Sequence, residues 1–82
     1  MMNSDFVAER AQNLAKQVES LEPAARVQSL YLRVLNRPAE PREIDAGLSY
    51  IEGFQKRGKS AADAWASFGR VLLASNEYMY LD

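Results

Sequence analysis

The side chains that could do chemistry in this sequence are a spaced set of arginines, a few carboxylate pairs and one basic cluster. Arg26, Arg33 and Arg37 recur at i, i+7 and i+11, which aligns them in one row along a helix. Such a row could read phosphate. The same guanidinium forks could bond Glu40, Glu43 or Glu77, or the free carbonyls at a helix end, while their stems cover the edge of a core. Structural ion pairing is the simpler expectation. Arg37 is expected to bond the turn at Ser75-Asn76-Glu77 and pin the tail to the second helix, so Arg33, Arg37, Asn76 and Glu77 are the structural polar candidates. The carboxylate pairs Glu19/Glu22 and Glu40/Glu43 fall at predicted helix ends in water. Small pKa shifts are expected there, with nothing to separate an acid from a base. Lys56-Arg57-Gly58-Lys59 could touch phosphate or an acidic surface, but reads first as a solvated helix terminus.

The remaining catalytic vocabulary is missing. The sequence has no cysteine and no histidine, which removes thiolate and imidazole metal sites, Cys nucleophiles, His-based triads and covalent haem attachment. No Ser-x-x-Lys occurs, and four scattered glycines form no phosphate loop. No residue is therefore assigned to catalysis, a metal or a cofactor. With 82 residues, 48% of them apolar, one core is the ceiling. A formal net charge of −1 supplies no field of one sign to draw the chain to nucleic acid or an anionic membrane. The apolar runs are too short to span a bilayer, and no charged start precedes an apolar signal segment, so a soluble chain without membrane insertion is expected.

Four helices must position these groups. Val7, Ala11, Leu14, Val18 and Leu21 make one stripe from Ser4 to Leu21. Glu22-Pro23 breaks the chain and opens a second helix, whose face is Val27, Leu30, Tyr31, Val34 and Leu35, ending at Asn36-Arg37-Pro38. Pro41 starts a third, with Glu43 able to reach back to the backbone N–H near Glu40. Ile44, Leu48, Ile51 and Phe54 form its stripe, and Gly47 on the same side would let another helix approach closely. Gly58 suits a left-handed stop. Ser60 caps a fourth helix bearing Ala61, Ala64, Trp65, Phe68, Val71 and Leu72. Past Ala74 an irregular, docked tail is expected. The fold is thus a small all-α four-helix bundle in a single helical domain over 1–82.

Leu32 lies opposite the main face of the second helix, and Leu73 on the flank of the fourth. With the run Tyr78, Met79, Tyr80 and Leu81, they are hard to bury in so short a chain. These six are the interaction candidates, a patch for other domains, a second copy or a separate partner.

Several strings carry a family resemblance. They are Met2-Asn3-Ser4-Asp5-Phe6-Val7, Tyr31-Leu32-Arg33-Val34-Leu35-Asn36-Arg37-Pro38, Pro41-x-Glu43, Trp65, and Leu72-Leu73-Ala74-Ser75-Asn76-Glu77-Tyr78-Met79-Tyr80-Leu81-Asp82. In this order they resemble the C-terminal PSD-type domain, a domain of unknown function, of large planctomycete cytochrome-c-associated proteins. The resemblance covers nearly the whole chain, and its closing string is the most specific part. Glu40 stands where such sequences usually have Thr or Ser as a cap, and Asn36 where Gly is common, which weakens the expected cap. The resemblance implies the C-terminal part of a longer multidomain protein, sometimes with a haem-binding cytochrome c domain elsewhere, and an extracytoplasmic setting. It implies no assigned activity. The reading is a non-catalytic helical interaction or structural module. Its rival is an accessory domain lending polar groups such as Arg33, Arg37 or Glu77 to a site completed by other domains, which would require a crevice lined by unpaired guanidinium groups.

Overall fold

The computed structural model describes residues 4–79, with side-chain surroundings over 6–76. Its elements are α1 (Ser4–Gln17), α2 (Pro23–Leu35), α3 (Pro41–Lys56) and α4 (Ala61–Met79), with no strand among the described residues. The chain is a small all-α four-helix bundle. Helix α4 packs against all three others, and α2 also packs against α3.

The starts and stops follow local chemistry. Pro23 and Pro41 occupy first-turn positions of α2 and α3, where a missing N–H costs no hydrogen bond. The Ser60 hydroxyl oxygen accepts the Asp63 N–H at 3.1 Å and caps α4. Gly58 takes a φ of 85° just past α3, the left-handed stop that its missing Cβ permits. Helix α1 is shorter than its apolar stripe. It ends at Gln17, and residues 18–21 form a turn. The turn is stabilised from outside, because Arg26 donates to the carbonyls of Leu21 (2.6 Å) and Glu19 (2.8 Å). Val18 stays fully buried, whereas Leu21 swings out to 39% exposure.

Val18, Val27 and Leu30 are wholly enclosed, and Val34, Ile51, Phe68 and Leu72 join the same core. Phe68 is its hub. Its ring lies 6.4 Å from Tyr31, 5.9 Å from Tyr50 and 6.2 Å from Trp65, the last edge-on. Offset and edge contacts of this kind add to the area buried. The hub fits because of Gly47. A Cβ at that position would stand 3.0 Å from the Phe68 ring and 3.2 Å from both Val27 methyls. Gly69 plays a looser form of the same part between α4 and α1, opposite Ala11.

Helix α4 departs from expectation in two ways. Leu73, expected in an exposed patch, is 3% exposed and part of the core, while Val71, expected in the buried face, is 44% exposed. Three helices surround α4, and α1 meets it across Ala11 and Gly69, so its buried arc is centred nearer Gly69 and Leu73 than the apolar spacing implies. Burying a leucine is worth roughly 2 kcal/mol, which favours that arrangement. The segment Ser75–Met79 is helical rather than irregular. No Gly or Pro interrupts it, and the Ser75 hydroxyl donates to the Val71 carbonyl at 3.0 Å, a bond compatible with a continuing helix. Asn76 is therefore a half-buried residue inside α4 and not a helix end. Tyr80 and Leu81, like the side chains of Glu77, Tyr78 and Met79, lie outside the described residues.

Two glycine substitutions in α3 should act in opposite directions. Gly47→Ala gains up to about 1 kcal/mol of helix propensity but overpacks Phe68 and Val27, for a net loss of roughly 1–2 kcal/mol. Gly53→Ala, with nothing within 4 Å of the new methyl, should gain about 0.5–1 kcal/mol. Urea unfolding followed by circular dichroism measures both, and a neutral Gly47→Ala would contradict the close approach.

Candidate functional site

Of the polar residues singled out by sequence, Arg37, Glu40 and Glu43 meet at the connection between α2 and α3. Helix α2 ends at Asn36, which adopts φ 58° and ψ 32°. Asn tolerates this left-handed conformation better than most non-glycine residues, so Asn36 serves as the stop. Arg37 follows. Its two terminal nitrogens donate to the two Glu43 carboxylate oxygens at 2.9 and 2.8 Å, and one also donates to the Pro38 carbonyl at 3.2 Å. Glu43 Oε1 also accepts the Glu40 backbone N–H at 2.9 Å, satisfying a free donor at the start of α3. The Arg37 guanidinium lies 5.4 Å from the centre of the Tyr31 ring.

Gln28 closes the joint from the other side. Its side-chain oxygen accepts the Ala39 N–H, and its nitrogen donates to the Ala39 carbonyl at 3.4 Å. One amide thereby pairs with both backbone groups of a buried loop residue. Sequence reading missed Gln28, since a lone glutamine on a helix carries no periodic or motif signal.

Arg37 binds Glu43, and among the described residues it makes no bond to Ser75 or Asn76 of the segment it is expected to pin, while the Glu77 side chain, also named in that expectation, lies outside them. Glu43 lies six residues away in the same connection, whereas Ser75 and Asn76 are held within α4. The expectation of small carboxylate shifts fails at Glu43. Its pKa is lowered from 4.5 to about 2, first by the Arg37 hydrogen bonds and then by the Glu40 N–H. The Arg37 guanidinium is correspondingly raised, chiefly by Glu43, and the Tyr31 hydroxyl is raised by burial and then by the Glu43 charge.

The rest of the arginine row is also bonded. Arg26 holds the α1 turn and lies 5.1 Å over the Trp65 ring. Arg33 donates to Gln17 Oε1 at 2.6 Å and to the Ser29 hydroxyl at 3.2 Å, linking α2 to α1. Arg26 thus bonds carbonyls beyond a helix end, a role weighed from sequence, whereas Arg33 bonds neutral side chains, which the sequence reading did not weigh. Arg33 does border a crevice of about 420 Å³ with Glu9, Arg10 and Leu14, but its guanidinium is already engaged there. A second crevice, about 410 Å³, runs between α1 and the first turns of α4 over Trp65 and several alanines, where Lys16 and Arg26 are balanced by Glu19 and Asp63. Among the described residues no group of three or more acidic side chains could hold a metal ion. No helix among them is long and apolar enough to cross a membrane.

Of the interaction candidates, Leu32 is 50% exposed on α2, and Leu73 is excluded by burial. No family model matches the chain, and no curated protein or solved structure matches it either.

The Arg37–Glu43 pair predicts a specific pH dependence. A carboxylate whose pKa is lower in the folded than in the unfolded chain stabilises the fold above about pH 4.5, and that contribution disappears as the pH falls towards 2. The melting temperature of Glu43→Gln should therefore lie below that of the parent at pH 7, with the gap closing by pH 2. Parallel melting curves across this window would show that the pair does not stabilise the fold.

Proposed function

We propose that this chain is a non-catalytic helical interaction or structural module, the C-terminal part of a larger protein of the planctomycete PSD type. One observation carries the reading. Among the described residues, the titratable groups displaced from their ordinary range, Glu43, Arg37 and Tyr31, belong to the α2–α3 joint, where these groups neutralise and orient one another. A general acid or base needs a proton exchangeable near neutral pH, and a carboxylate held at about 2 in a two-pronged arginine pair has none to give.

The same joint bears on the resemblance. Tyr31, Arg37 and Glu43 belong to the Tyr31…Arg37-Pro38 and Pro41-x-Glu43 strings, and they form the stacked, hydrogen-bonded turn between two helices. Asn36 at the left-handed position fits a family pattern in which glycine is common. Fold geometry is thus a sufficient reason for these strings. The rival accessory-site reading asked for free guanidinium groups in a crevice, and the bonded state of Arg26, Arg33 and Arg37 gives it no support.

Other domains of the longer protein, a second copy or a separate protein would cover the exposed apolar side chains Leu32 and Val71. The test is co-purification of the tagged chain with the remaining domains of such a protein, expressed separately, alongside sedimentation of the chain alone. Association in either format supports the module. Leu32→Asp or Val71→Asp, both at exposed positions, should reduce recovery several-fold with little change in melting temperature. Equal recovery would remove these side chains from the contact, and no association in either format would remove the interaction role.

A further inference from the structure

A furrow follows the seam between α1 and α4 on the side facing the end of α3. One part, about 260 Å³, is bordered by Phe54, Lys59, Asp63, Ser67 and Arg70. The next, about 430 Å³, shares Ser67 and Arg70 and continues over Val7, Val71 and Ala74. The furrow is therefore cationic along its first half and apolar at its far end, where Val71 is 44% exposed.

Its cations differ from those of α2 and the turn that follows it. Arg26, Arg33 and Arg37 are all hydrogen-bonded, but among the described residues neither Lys59 nor Arg70 makes a hydrogen bond or ion pair. Arg57, next along, lies 5.3 Å over the Phe54 ring without a carboxylate partner among those residues. Asp63 is the one acid on the described walls, at the edge shared with the charge-balanced crevice over Trp65. Tyr50 stacks on Phe54 at 6.0 Å, and its hydroxyl is hydrogen-bonded to the Ser67 hydroxyl at 2.6 Å, which holds the α3 and α4 walls together.

We propose that this furrow docks an acidic polypeptide segment bearing a hydrophobic side chain. Carboxylates of the segment meet Lys59 and Arg70, and the hydrophobic side chain lies on Val7 and Val71. Charge complementarity selects this occupant, because the furrow offers unpaired cations beside an apolar shelf in a chain whose net charge is −1. The proposal rests on the module reading and specifies the chemistry of its partner.

The test uses a short fluorescein-labelled peptide of glutamate, aspartate and leucine. Its controls are the same peptide with leucines replaced by glycine, the same peptide with acids replaced by lysine, and a single-stranded oligonucleotide. Anisotropy titrations give affinity, and amide chemical shifts of the labelled chain locate the contact. The leucine-containing acidic peptide should bind, weaken with added salt, and perturb amides around Ser67, Arg70 and Val71. Lys59→Glu with Arg70→Glu should weaken it about tenfold or more. Val71→Asp should abolish the advantage of the leucine peptide over the glycine peptide. Both variants change exposed residues, and unchanged thermal melting confirms that they fold. Equal binding to the charge-reversed chain, equal binding of the lysine peptide, or tighter binding of the oligonucleotide overturns the proposal. Shifts confined to the Leu32 face overturn the furrow and leave the module reading standing. Failure of every probe overturns the furrow alone, since the module reading is decided separately by co-purification and sedimentation.

Discussion

The seating of Phe68 against Gly47 is the contact on which the rest of the bundle depends. It brings α4 close to α3, and the same ring then meets Tyr31 of α2, Tyr50 of α3 and Trp65 of α4. A domain of this length has few side chains with which to exclude water, and this ring ties α2 and α3 to α4 through three aromatic neighbours. Its position also sets what the surface can present. With Tyr31 drawn to the hub, Arg37 has a ring to lie over; with Tyr50 drawn to it, the Tyr50–Ser67 hydrogen bond closes α3 onto α4.

The connection between α2 and α3 illustrates how a short loop is stabilised without a core of its own. Asn36 turns the chain left-handed, Arg37 and Glu43 close a two-pronged ion pair across it, and Gln28 pairs with both backbone groups of Ala39. Each bond is modest, and the Arg37–Glu43 pair is partly exposed to solvent. Together they satisfy the backbone groups freed where one helix stops and the next begins. This joint holds the most strongly shifted carboxylate of the described residues, and it does so for structural reasons. A perturbed pKa often marks a reactive site, but the sign of the shift and the identity of the partner decide, and here both describe a strut that is ionised at neutral pH.

Charge is divided between two tasks. Arg26 and Arg33 of α2 and Arg37 just past it bond within the fold, to the turn after α1, the side of α1 and the start of α3. The cations at the end of α3 and along α4 face outward over a furrow with an apolar end. The helical spacing of Arg26, Arg33 and Arg37 raised phosphate reading only behind structural pairing, and the run Lys56-Arg57-Gly58-Lys59 was itself weighed for an acidic surface. The outward set is scattered over residues 57–70 and comes together only when α3 folds back along α4.

Helix number, the proline starts at Pro23 and Pro41, the Ser60 cap, the Gly58 stop and the close approach at Gly47 were all legible in the sequence, because each depends on one residue and its near neighbours. The end of α1, the exchange of Val71 for Leu73 in the core, the helical continuation to Met79 and the choice of Glu43 by Arg37 were not. Periodicity assigns a residue an angle around its helix axis, but the centre of the buried arc is set by which helices press on it and from where. Likewise, several acids lay within plausible reach of Arg37, and only the folded positions of the elements show which one its fork meets.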